Sequence, residues 1–196
     1  TNTSFYHSPL LPKKHNHVEM KIDNYKLIYN DPRRFGYFKI LNNKSDFENY
    51  FTRIGPEALH KDFNLIYLKN KITNRKKNIK NLLLDQKIVS GIGNIYANEI
   101  LYKSQILPTK SVKKLTSLDL IKIIKVSRIT LINAIKFGGS SIKDFKGISG
   151  VTGGFQTKFT VYNRENQKCI KRKCKGIIKK RYISNRSTFF CNYCQS

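Results

Sequence analysis

Cys169-Ile170-Lys171-Arg172-Lys173-Cys174, a gap of sixteen residues, and then Cys191-Asn192-Tyr193-Cys194 form the stretch on which the fold turns. Two close cysteine pairs, each on a tight turn, can place four thiolates at the corners of a tetrahedron, the arrangement zinc accepts from an all-cysteine set. The intervening segment then folds back as a hairpin. Ile177, Ile178, Tyr182 and Ile183 supply one arm, Thr188 to Phe190 the other, around a turn at Asn185-Arg186. With all four positions filled by protein, one Zn2+ would be structural. The four-residue spacing of the first pair is wider than the usual two. Structural disulfides or free thiols are the other readings of the same residues, and the crowding of all four cysteines near one end disfavours a scattered extracellular disulfide framework.

Basic residues crowd this module. Arg164, Lys168, Lys171, Arg172, Lys173, Lys175, Lys179, Lys180, Arg181 and Arg186 face only Glu165. The same imbalance runs through the chain. Its 196 residues hold 38 Lys and Arg against 12 Asp and Glu, a formal charge of +26. Such a field collects polyanions and excludes the surface of an ordinary metabolic enzyme. A hydrophobic fraction of 39% still allows a packed core. Part of the lysine excess is attributable to composition, since Lys, Asn and Ile abound while Ala occurs three times. No run approaches ~18 apolar residues, so no membrane helix is expected, and Thr1 to Leu10 lacks the pattern of a signal peptide.

Upstream of the cysteines the pattern is helical. Leu118 through Phe137 is long and amphipathic and ends on Gly138-Gly139. Shorter helices are expected around Phe63–Asn70, Ile79–Leu83 and Ile95–Leu101. The last follows Gly91-Ile92-Gly93-Asn94, in which Asn94 is expected to cap the helix and its exposed N–H groups to favour a phosphate. Ser45-Asp46-Phe47-Glu48 predicts a capping box opening a further helix that Gly55-Pro56 stops. Residues 18–40 read as up to three strands, thin for an independent sheet. Residues 138–154 read as a long functional loop, and Phe155 to Tyr162 as a strand. The expected architecture is α+β: a short β segment, a helical middle and a small metal-bound end.

Six blocks then occur in order: Asp31-Pro32-Arg33-Arg34-Phe35-Gly36, Gly55-Pro56-Glu57, Leu83-Leu84-Asp85-Gln86, Gly91-Ile92-Gly93-Asn94-Ile95-Tyr96-Ala97-Asn98-Glu99, Gly138-Gly139-Ser140-Ser141-Ile142-Lys143-Asp144-Phe145, and Arg186-Ser187-Thr188-Phe189-Phe190-Cys191. Together they resemble bacterial formamidopyrimidine-DNA glycosylases over nearly the whole chain. The related endonuclease VIII shares the helical and zinc parts but not the Asp-Pro-Arg-Arg-Phe-Gly block. The resemblance implies a partial N-terminal β-sandwich over 1–44, a helix-two-turn-helix DNA-binding domain over 45–145, and a lesion-capping loop with a four-cysteine zinc-finger β-hairpin over 146–196. It implies excision of oxidised purines, such as 8-oxoguanine and formamidopyrimidines, from duplex DNA and cleavage of the abasic site by β,δ-elimination, by a monomer in the bacterial cytoplasm.

The resemblance also assigns residues. Arg33 would face the orphaned base and Phe35 wedge beside it, with Arg34 in the same DNA-contacting block. His15, Lys76, Lys80, Asn94 and Arg186 would contact DNA around the lesion. Lys143 and residues 146–154 would close over the flipped base. Arg186 would also donate a proton during elimination. The family's N-terminal proline nucleophile and adjacent glutamate have no counterpart here: the sequence opens on Thr1, and Pro9 is an amide. A segment of a longer glycosylase is the favoured reading, without strand-cutting activity of its own. A non-catalytic protein binding damaged DNA is the alternative. A zinc-ribbon RNA-binding protein would explain the charge and cysteines but not the ordered blocks.

Overall fold

The computed structural model describes residues 12–32, 34–73, 75–140 and 153–196. The fold is α+β, a helical body flanked by two antiparallel hairpins. Strands β1 (Asn16–Ile22) and β2 (Tyr25–Asn30) form the first hairpin, turning at Asp23, which takes a φ of 50°. Residues 37–40, expected as a third strand, join no sheet. A two-stranded ribbon buries little, and Tyr25, Tyr37, Phe38 and Ile40 are exposed.

Helix α1 spans Lys44–Phe51. Its cap is Asn43, whose side chain accepts the Asp46 N–H, and not the expected Ser45. Both residues suit an N-cap, and the asparagine two positions earlier takes the extended backbone that capping needs.

Helices α2 (Leu65–Ile72), α3 (Ile79–Leu83), α4 (Asn94–Ser104) and α5 (Ser117–Lys136) enclose the main core. Phe63, Leu68, Leu82, Ile100, Leu101, Leu120 and Ile123 are buried together there. Each burial of this kind contributes about 1.5–3 kcal/mol. The start of α5 carries the reciprocal capping box Thr116–Asp119. Its end is Gly138, at a φ of 71° that suits glycine. No described helix is long and apolar enough to cross a membrane.

The expected strand over 155–162 is instead a short 3-10 helix, Phe155–Lys158, leading into an irregular strap. Its backbone donors are taken up by α4 rather than by a neighbouring strand. Strands β3 (Ile178–Ile183) and β4 (Arg186–Cys191) form the second hairpin. The turn lies one residue earlier than expected, at Ser184-Asn185. Both residues have positive φ, 48° and 58°, the backbone a tight two-residue hairpin requires. Arg186 is thereby the first residue of β4.

Candidate metal centre and nucleic-acid interface

The four cysteines meet beside this hairpin. Their Sγ atoms all lie within 4.8 Å of one another. Cys169 and Cys194 are 3.8 Å apart, Cys174 and Cys191 3.6 Å. A disulfide needs about 2.0 Å. A tetrahedron of sulfurs about 2.3 Å from a zinc ion has edges of about 3.8 Å. The spacing therefore fits a tetrahedral metal and excludes paired disulfides. Burial holds the Cys194 thiol above its ordinary range, as do the neighbouring sulfurs. Burial also acts to raise Cys169, but hydrogen bonds from Tyr102 and Lys171 outweigh it and hold that thiol down at about 7. Clustered thiolates repel one another, and a dication between them offsets that repulsion.

Helix α4 fastens the module to the body. The Asn98 side chain accepts the Phe189 N–H at 2.8 Å and donates to the Asn94 carbonyl at 2.6 Å. One residue on, buried Glu99 accepts N–H bonds from Thr160, Val161 and Tyr162. The Tyr102 hydroxyl meets Cys169 Sγ at 3.0 Å. Asn94, Asn98, Glu99 and Tyr102 recur at helical spacing, so one face of α4 reads the hairpin and its strap. Beyond the helix, Gln195 bridges the Cys191 N–H to the Ile106 carbonyl.

The start of α4 is shaped by Gln86. Its side chain donates to the Ile92 carbonyl and accepts the Gly91 N–H. Gly91 has a φ of 85°, a backbone that a residue with a Cβ adopts only under strain. The cap is Gly93, and Asn94, expected there, is the first helical residue. Its amide is thus released to donate to the Ser187 carbonyl at 3.0 Å, and its Oδ1 is buried without a partner.

Lys80, a DNA contact by resemblance, is fully buried. Its ammonium donates to the Ser187 carbonyl at 3.0 Å and to Thr188 Oγ1 at 2.6 Å. Lys80 and Asn94 therefore converge on one carbonyl, immediately after the exposed Arg186. Burial, and then the Arg186 charge, push Lys80 down to about 8 from 10.5. Between those values the unfolded chain holds more proton than the folded one. The cost of the buried charge is therefore full below about 8 and is relieved as pH rises toward 10.5. The stability advantage of the wild type over Lys80→Met, read by urea unfolding, should grow from about pH 7 to about pH 10. A constant difference would contradict the depressed ammonium.

The remaining expected contacts lie elsewhere. Lys76 is exposed ahead of α3. Arg34 and Phe35 are exposed on a loop organised by Asp31, whose carboxylate accepts the Tyr29 hydroxyl at 3.0 Å and the Gly36 N–H at 2.8 Å. His15 is half-buried, and its carbonyl accepts the Asp31 N–H. Arg33, Lys143 and loop residues 146–152 lie outside the described residues. Sequence reasoning missed Asn98, Glu99 and Tyr102 as docking groups. A polar residue at each turn of an otherwise buried helix was the available signal.

A helical body with an α4 turn presented by glycines, and a four-cysteine hairpin docked on it, defines a helix-two-turn-helix DNA-glycosylase class. Residues 54–146 match the formamidopyrimidine-DNA glycosylase H2TH domain. The formamidopyrimidine-DNA glycosylase of Roseobacter denitrificans is 40% identical over 97% of this chain and 68% of its own length. That of Wolbachia pipientis from Culex pipiens is 41% identical over 93% and 67%. Among solved structures, the MutM (Fpg) protein of Thermus thermophilus superposes with a TM-score of 0.85 at 31% identity, covering 100% of this chain and 73% of that one. Lactococcus lactis Fpg bound to abasic-site DNA gives 0.85 at 33% identity, over 98% and 70%. The chain belongs to the formamidopyrimidine-DNA glycosylase family.

Proposed function

We propose that this chain serves base-excision repair, gripping duplex DNA at an oxidised purine or an abasic site for a glycosylase and AP lyase. The observation that carries the reading is the convergence of Lys80 and Asn94 on the Ser187 carbonyl. That carbonyl follows Arg186, so two side chains from the helical body set the position of one exposed guanidinium. A guanidinium placed this way suits bidentate phosphate contact. The family relationship and the solved complexes of similar proteins with abasic-site and Fapy-dG DNA support the substrate class. His15, Arg33, Arg34, Phe35, Lys76 and Lys143 complete the DNA-contacting set by resemblance, and Arg186 acts as proton donor in δ-elimination.

Cys169, Cys174, Cys191 and Cys194 would hold one structural Zn2+. It would serve there as a crosslink, since four sulfur ligands would leave no open position for catalysis. What the chain's own residues do is orient: the hairpin carries Arg186, Lys80 and Asn94 fix its backbone, and Glu99 anchors the strap. Division into 1–44, 45–145 and 146–196, a monomeric state and a place with the DNA of a bacterial cytoplasm belong to the same reading.

Fluorescence anisotropy with an abasic-site duplex tests it. Arg186→Ala should weaken binding by roughly 1–3 kcal/mol, as for a charge-assisted contact. Wild-type affinity should fall steeply with added salt, since each neutralised phosphate releases counterions. Unchanged affinity in the variant, or a flat salt response, would remove Arg186 or phosphate contact from the account.

A further inference from the structure

The last turns of α4 carry an aromatic residue with no part in the DNA grip. Tyr102 is 6% exposed and packs among Val161, Ile178 and Phe189. A phenol buried in such surroundings needs a partner for its hydroxyl. Here the partner is Cys169 Sγ, at 3.0 Å. A phenol donates through its one O–H, and a thiolate can only accept. Cys174 Sγ instead accepts a backbone N–H, that of Gly176, at 3.4 Å. The two sulfurs of the first knuckle therefore differ in their surroundings.

Zinc with four thiolates carries two excess negative charges. Hydrogen bonds to the sulfurs disperse that charge and fix the direction of each ligand's lone pair. We propose that Tyr102 is a positioning residue for the metal: its hydroxyl donates to the Cys169 thiolate, orients that sulfur and slows loss of the ion. The proposal rests on the zinc reading above. It makes metal retention depend on α4, because the ring that delivers the hydroxyl is part of the helix whose first residue, Asn94, holds Ser187.

Cobalt substitution of the full chain reads the contact directly. Tyr102→Phe keeps the ring and removes the donor. Removing an O–H from a thiolate raises the energy of its lone pair. The sulfur-to-cobalt charge-transfer band should then move to longer wavelength, and zinc affinity against a competing chelator should fall by about 10–100-fold, as for other hydrogen bonds made to metal ligands. Tyr67→Phe is the control. Tyr67 donates to the Ile88 carbonyl and touches no cysteine, so both readouts should stay at wild-type values. Incorporating 3-fluorotyrosine at position 102 gives a more acidic donor without loss of volume, and should move the band to shorter wavelength. Wild-type spectra and affinities in both proteins altered at position 102 would overturn the proposal while leaving the metal site intact. Absence of tetrahedral cobalt bands from the wild type would overturn the zinc reading itself, and the role of Tyr102 with it.

Discussion

Replacing Cys191 with Ser is expected to abolish stoichiometric metal binding and to unfold residues 160–196, leaving the α2–α5 core folded. Cys191 is fully buried and pairs with Ile178 in the hairpin ladder. Its N–H is held by Gln195, and a Cβ at Gly176 would press on its sulfur. The module has no comparable reserve of its own. Its core is Tyr102, Val161, Cys169, Ile178, Phe189 and Cys191. That core is small for the length of chain it orders, so the module depends on its metal. Structural zinc supplies about 10–16 kcal/mol in comparable small modules. Metal content and amide exchange check the prediction together. Protection should vanish in β3 and β4 and persist in α5. Affinity for abasic DNA should fall at least as far as for Arg186→Ala, since the strand that carries the guanidinium is lost. A variant that retains one tightly bound metal ion would refute it.

The second large effect is expected at Glu99. Its Oε1 accepts N–H bonds from Thr160, Val161 and Tyr162, and its Oε2 accepts the Thr160 hydroxyl. Lys103, at 3.8 Å from Oε2, adds partial charge balance. Glu99→Ala leaves those donors, buried at Val161 and half-buried at Thr160 and Tyr162, with nothing to accept them. Each unmet group costs about 1–3 kcal/mol, and truncating a buried charged cluster costs about 3–5 kcal/mol. Denaturant unfolding should show a loss in that range, with exchange protection falling first at residues 160–162. Glu99→Gln retains one acceptor oxygen but turns an NH2 toward Thr160, so its cost should be smaller than that of Ala. Equal losses would show that volume and not hydrogen bonding matters here, and a loss below about 1 kcal/mol for Ala would refute the anchoring role.

Much of this arrangement was legible in the residues. The spacing of Cys169, Cys174, Cys191 and Cys194 predicted a four-sulfur cluster because a tetrahedron imposes its own geometry on the chain. The long helix ending at Gly138 was legible because its apolar period and its stop signal are both local. Less local features misled. Ser45 and Asn43 are equally good caps, and the choice between them depends on which takes the extended backbone. The turn at Ser184-Asn185 was displaced by one residue, since register in a hairpin is set by both strands at once. Phe155 to Tyr162 alternates like a strand, yet no described strand lies beside it. Glu99 takes its backbone donors, and a partner sixty positions away in sequence leaves no trace in local pattern.

By itself, the sequence determined the polyanion partner, the four-cysteine hairpin and the helical middle. Each follows from charge, ligand spacing or periodicity, which are properties of residues near one another in the chain. Only the tertiary structure decided what Lys80 does. Among the many lysines, the family resemblance marks it as one more cation for a phosphate. In the fold it sits beneath the hairpin, fully buried, and donates its protons to the Ser187 carbonyl and Thr188. Burial of a charge is a property of everything packed around it, and that is settled only when α3, α4 and β4 have come together.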